Sequence, residues 1–122
     1  MRTPPTIMLF IAAACVAPVA MSQSQATLNT VISNDIVMVV QGADIPIDYH
    51  ADGTYSGEME GTGFSGNWRI DGASLCTRSL LSQTETCTEF PPGKKPGDVF
   101  NVVNPALGEV TIRINERSRA RG

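Results

Sequence analysis

His50 is the single histidine of this 122-residue chain, and it stands between Asp48 and Asp52. On a strand, alternate side chains share a face, so these three could offer mixed oxygen and nitrogen ligands to a metal. The Asp52-Gly53 pair is also a turn signal, which gives Asp52 a simpler role in backbone geometry. We therefore read the three as a polar outer face beside a turn, with no metal and no cofactor. A Ser-His-Asp triad would have to use the same His50. The only serine in a partly suitable setting is Ser65, in Gly63-Phe64-Ser65-Gly66, and that segment reads as strand where a nucleophile elbow needs a strand-to-helix turn. Glu58 and Glu60 stand two apart beside a glycine turn and read as solvated carboxylates, not an acid/base pair. Gly61, Gly63 and Gly66 have the spacing of a dinucleotide fingerprint, but Trp68-Arg69-Ile70 continues as strand where a helix should begin. The expectation is a protein without a catalytic centre.

Three cysteines remain to be assigned. Met1-Arg2 followed by the apolar run Ile7 to Ala14 and small residues to Ser22 has the layout of a secretory signal peptide, with cleavage after Ser22 and a second choice after Ala26. Pro18 interrupts the run before it reaches the length of a membrane span, so no transmembrane segment is expected once the signal is removed. Ala12-Ala13-Ala14-Cys15 loosely resembles a bacterial lipobox, which makes Cys15 a candidate for lipidation and a lipid anchor the alternative to a free periplasmic or secreted state. Either way Cys76 and Cys87 are left to each other, and an oxidising compartment would join them.

Charge narrows the partners. Twelve acidic residues face nine basic ones, Arg2 falls in the signal, and Arg117, Arg119 and Arg121 fall in the last residues. The body is acidic, which argues against nucleic acid as a partner. The resulting division is 1–22 signal, 23–35 linker or short helix, 36–115 β domain and 116–122 disordered Arg-rich tail.

The body must position whatever site exists, and it reads as strands. Short alternating runs are separated by Asp52-Gly53, Asp71-Gly72, Pro91-Pro92-Gly93, Pro96-Gly97 and Asn104-Pro105. The expected strands are 36–41, 45–50, 54–59, 63–70, 74–79, 85–90, 98–104 and 109–115. Thr27 to Asn34 is the one stretch with room for a short helix. The fold class expected is all-β, an antiparallel meander of about seven or eight short strands forming a curved sheet or small barrel with one disulfide.

Register follows from matching apolar partners. A three-residue loop Ala51-Asp52-Gly53 pairs Tyr49 with Tyr55, Ile47 with Gly57 and Ile45 with Met59. A loop Glu60 to Gly63 pairs Met59 with Phe64 and Tyr55 with Trp68, and a two-residue loop Asp71-Gly72 pairs Trp68 with Leu75. Tyr49, Tyr55, Trp68 and Leu75 would then form one row with Trp68 at the centre of the core, and Ile45, Met59 and Phe64 a second. Pairing Cys76 with Cys87 sets Arg78 opposite Glu85 and Ser74 opposite Glu89.

The segments His50-Ala51-Asp52-Gly53-Thr54-Tyr55, Gly66-Asn67-Trp68-Arg69-Ile70-Asp71-Gly72, Leu75-Cys76 and Cys87 together resemble a pattern of small secreted or periplasmic bacterial β-domain proteins of unknown function. The resemblance covers residues 45–90 and implies a compact β domain without implying an activity. Two function classes stay open. One is a binding or envelope-associated module, with Tyr49, Tyr55 and Trp68 as candidate ligand face for a small apolar ligand or an envelope protein. The other is a secreted enzyme inhibitor presenting the proline-stiffened loop 91–97, with Lys94 and Lys95 as candidate partner contacts.

Overall fold

The computed structural model describes residues 19–80, 82 and 84–116, with only the backbone of 19–21. Cys15, most of the signal segment and the three arginines of the tail lie outside the described residues. The described residues form one helix, α1 (Val19–Asn34), and eight strands: β1 (Ile36–Val40), β2 (Ala43–Tyr49), β3 (Thr54–Met59), β4 (Thr62–Asp71), β5 (Ser74–Ser79), β6 (Thr86–Glu89), β7 (Val99–Asn104) and β8 (Gly108–Ile114).

All strands join one antiparallel sheet in the order β6-β5-β4-β3-β2-β1-β8-β7. Every strand except β6 pairs with the next in sequence, and β8 returns to pair with β1. The two sheet edges, β6 and β7, lie close together without a ladder between them. The Phe90 and Phe100 rings meet there edge to face, centroids 6.0 Å apart. The result is a nearly closed eight-stranded barrel, the expected all-β class, with alternate side chains pointing inward.

Helix α1 covers one end. Ser24, Thr27, Leu28, Val31 and Asn34 are buried, which is the 3–4 spacing of one helical face. The helix is longer than the Thr27–Asn34 stretch expected. Its buried face is half polar, so no apolar period advertises it. Those polar groups find partners: Asn34 Nδ2 donates to the Asn115 carbonyl at 2.9 Å, and Thr27 Oγ1 accepts the Lys94 amide at 3.0 Å. The helix stops at Asp35, which takes a left-handed conformation at φ 68° and donates its amide to the Val31 carbonyl at 2.8 Å, a left-handed C-terminal cap usually made by glycine. The Asp35 carboxylate earns its place by accepting the Tyr49 amide at 2.8 Å, and the Asp35 carbonyl accepts the Asn115 amide at 3.1 Å. One residue thus ties the helix end to β2 and to the end of β8.

The most deeply buried large side chains are Leu28, Val31, Ile36, Ile112 and Ile114. They come from α1, β1 and β8, so the core is centred there and not on Trp68, which is only half-buried. Trp68 lies at the helix end over the β2–β3 turn, its Nε1 donating to the His50 carbonyl at 2.9 Å.

The β2–β3 register is the expected one, with Tyr49 opposite Tyr55 and Ile47 opposite Gly57. The next two hairpins each differ by two residues. Gly57, not Met59, faces Phe64, and Gly66 faces Tyr55. The loop is the two-residue Glu60-Gly61, with both residues at positive φ, 51° and 84°, as a type I′ turn requires. Ile70, not Trp68, faces Leu75, because the turn residues are Gly72-Ala73 and Asp71 pairs with Ser74. Aromatic rings explain the choice. A Cβ on Gly57 would stand 2.5 Å from Phe64 Cζ, and one on Gly66 would collide with the Arg78 carbonyl oxygen and stand 2.8 Å from Tyr55 Cε2. Each glycine is the seat of the ring opposite it, so the register pairs ring with glycine instead of ring with ring.

Cys76 faces Cys87 and Ser74 faces Glu89, as expected, and the cysteines are disulfide-bonded. The expected Arg78–Glu85 pair is replaced. Glu85 precedes β6, and its carboxylate is held in a fork by Arg69, at 2.8 Å from Nε and 2.9 Å from Nη2. Arg69 stands opposite Cys76 on the same outer face and reaches across β5. The hydrogen bond from Arg69 holds the Glu85 carboxyl below the ordinary carboxylate value, with the charges of Arg69 and Arg78 adding to it.

Candidate functional site

Among the described residues, the barrel interior is covered by α1 at one end and open at the other. At the open end lies a cavity of about 170 Å³ lined by Met38, Ile45, Ile47, Tyr49, Tyr55, Met59, Phe64, Thr77, Asn104 and Leu107. Its walls follow from strand alternation. Met38 pairs with Ile45 on one side and with Ile112 on the other, so β1 and β2 supply an aliphatic wall. Phe64 and Tyr55 lie over the two strand glycines, with ring centroids 6.3 Å apart. Met59 closes β3 and Leu107 comes from the β7–β8 turn. They form the rim, 44% and 53% exposed.

Tyr49 forms the floor. Its ring lies 6.4 Å from both Tyr55 and Trp68, so the three expected aromatics do come together. Only Tyr49 and Tyr55 line the cavity, because Trp68 is on the helix side of Tyr49. Burial, with the Tyr55 phenol and the Asp35 carboxylate adding to it, pushes the Tyr49 phenol far above the ordinary tyrosine value. The polar atoms of the lining are few: the tyrosine hydroxyls, Thr77 and Asn104.

The second expected row, Ile45, Met59 and Phe64, supplies much of the wall. Leu107 and Met38 were not singled out from the sequence. An exposed leucine in the turn after Asn104-Pro105 was the available signal for Leu107.

The other candidates lie elsewhere. His50 Nε2 is 3.3 Å from Ser56 Oγ on the outer face. Asp52 Oδ1 accepts the Thr54 amide at 3.0 Å and hydroxyl at 2.7 Å, an arrangement that completes the turn and lowers the Asp52 pKa. Ser65 pairs with Ser56 in the ladder and is not brought to His50 by any hydrogen bond among the described residues. Glu58 and Glu60 are exposed. The one group of three metal-type ligands among the described residues is Cys76, Glu85 and Cys87, and both of its sulfurs are in the disulfide.

Loop 91–97 is anchored at several points. The Lys94 amide is held by Thr27, and the Lys94 ammonium lies 5.4 Å from the Phe100 ring centroid. Lys95 is exposed, and its amide donates to Asp98 Oδ2 at 2.9 Å. The segment connects β6 to β7 and packs on α1.

No helix of the described residues is long and apolar enough to cross a membrane. No family model, curated protein or solved structure matches the chain.

Proposed function

We propose that this chain is a non-catalytic binding module, exported to the periplasm or beyond, which receives one small apolar group in the open mouth of its barrel. The observation that carries the reading is the 170 Å³ cavity with Met59 and Leu107 exposed at its rim. Its size sets the ligand class. Drug-sized ligands occupy roughly 300–1,000 Å³, whereas an apolar cavity of about 150 Å³ accepts benzene. The occupant is therefore a single ring or a branched aliphatic group, free or projecting from a larger partner. The disulfide supports export, since such bonds persist in oxidising compartments.

The direct test is a titration of protein carrying ¹³C-methyl methionine with benzene or indole. Saturable shifts of the Met38 and Met59 methyl signals are expected. Unchanged signals for both methyls, up to about 10 mM of either compound, an affinity floor of about 3 kcal/mol, would sink the proposal.

A further inference from the structure

Charge around the open mouth is one-sided, and this says what carries the apolar group. No lysine or arginine occurs between residues 3 and 68. These residues include all of β1, β2 and β3, which stand side by side and form one continuous wall of the barrel. The mouth half of that wall carries Asp44, just after the β1–β2 turn, and Glu58 and Glu60, which flank the rim residue Met59. All three are exposed. Across the mouth, the rim residue Leu107 is followed by Glu109, which is exposed and accepts a hydrogen bond from Asn101 Nδ2 at 3.1 Å.

Four of the five described basic residues lie away from this rim, and the fifth, Arg78, follows the lining residue Thr77 with its side chain on the outer face. Lys94 and Lys95 are in the connector against α1, at the blocked end. Arg113 pairs with Val99 at the start of β7, beside that connector. Arg69 is bound to Glu85, and Arg78 lies on the same outer patch as that pair. The β1–β3 side and the β7–β8 side of the apolar mouth thus carry exposed carboxylates and no described basic residue at that end.

We infer that the mouth docks a cationic segment of a partner protein, in which one apolar anchor side chain is flanked by lysines or arginines. This rests on the proposed apolar site and adds the chemistry of its occupant. The cavity takes one ring or branched aliphatic side chain and no more, so the anchor is single. A free hydrocarbon would use the cavity and leave the carboxylates idle, and an acidic segment would be repelled by them. A cationic segment uses both: the anchor leaves water while its neighbours face Asp44, Glu58, Glu60 and Glu109 at the solvated rim.

The probes are three capped pentapeptides, Lys-Lys-Phe-Lys-Lys, Glu-Glu-Phe-Glu-Glu and Lys-Lys-Ser-Lys-Lys, titrated against the full chain with methyl signals as readout. The first should bind most tightly and weaken about tenfold or more between low and high salt, as screened rim charges do. The second should bind at least about tenfold more weakly at low salt, and the third should leave the Met38 and Met59 methyls unshifted. The double variant Glu58→Gln/Glu60→Gln should weaken the basic peptide several-fold while leaving benzene binding and melting temperature unchanged. Equal affinity for the basic and acidic phenylalanine peptides, or an unchanged double variant, overturns the inference while benzene binding still supports the apolar site. Failure of benzene and all three peptides together overturns both.

Discussion

Tyr49 concentrates several roles in one side chain. It floors the cavity, touches Tyr55 and Trp68, and its backbone amide is held by the Asp35 carboxylate. Its phenol is raised by burial, so the folded state keeps the proton that the unfolded chain releases near pH 10. The sign follows from linkage. The stabilisation is complete below the ordinary tyrosine value and is lost as pH rises above it, because only the unfolded chain then gains by ionising. Denaturant midpoints should therefore begin to fall above about pH 10, and Tyr49→Phe should flatten that fall. A Tyr49→Phe variant with the same alkaline slope as the parent would mean that another group controls it. Glu85 behaves in the opposite sense. Its pKa is depressed by Arg69, so that contribution is present at neutral pH and is lost as pH drops below the ordinary carboxylate range.

At the level of elements, α1 and the 91–97 connector hold each other. Thr27 is fully buried, donates to the Gln23 carbonyl at 3.3 Å and accepts the Lys94 amide at 3.0 Å. Thr27→Val keeps the shape and strands that amide, which should cost about 1–3 kcal/mol. Thr30→Val serves as control. Its hydroxyl bonds back to the Ala26 carbonyl at 3.0 Å within the helix, and its loss should stay within about 0.5 kcal/mol. Equal midpoints for the two variants in urea would show that the connector does not depend on the helix.

The hairpins show where elements exceed local reading. The β2–β3 turn was legible because Asp52-Gly53 fits a common three-residue loop. The β3–β4 turn was not, because Glu60-Gly61 lacks the usual Asn or Asp at a position with positive φ. Both register errors were two residues long. A strand repeats every two residues, so such a slip leaves every side chain on its correct face and only changes its neighbours.

For the whole molecule, the decisive feature is closure. Strands β1 to β5 and β8 have a ladder on both sides, whereas β6 and β7 each have one, and β1 and β8 also carry the fully buried Ile36, Ile112 and Ile114. The seam between them is held by the Phe90–Phe100 contact and the connector. Backbone amides of β1 and β8 should therefore exchange with solvent most slowly, and amides of β7 that face the seam fastest among the strands. Protection at the seam equal to that of β1 would indicate a ladder between β6 and β7.

Composition and alternation alone were enough for eight strands, their faces, the Cys76–Cys87 pairing and the acidic character of the body, because these depend on residue type and a period of two. The long helix escaped that reading, since Thr27 and Asn34 become acceptable inside only when Lys94 and Asn115 arrive from elsewhere in the chain to bond them. Tertiary structure also decided which end of the barrel is open. The helix packs against one end and leaves the other, so Tyr49 and Tyr55 line a cavity while Trp68, expected beside them, covers a turn. The carboxylates at that end were present in the sequence as isolated acids. Only the folding of the sheet places Glu58 and Glu60 at the end of β3 and Glu109 at the start of β8 on the same end of the barrel.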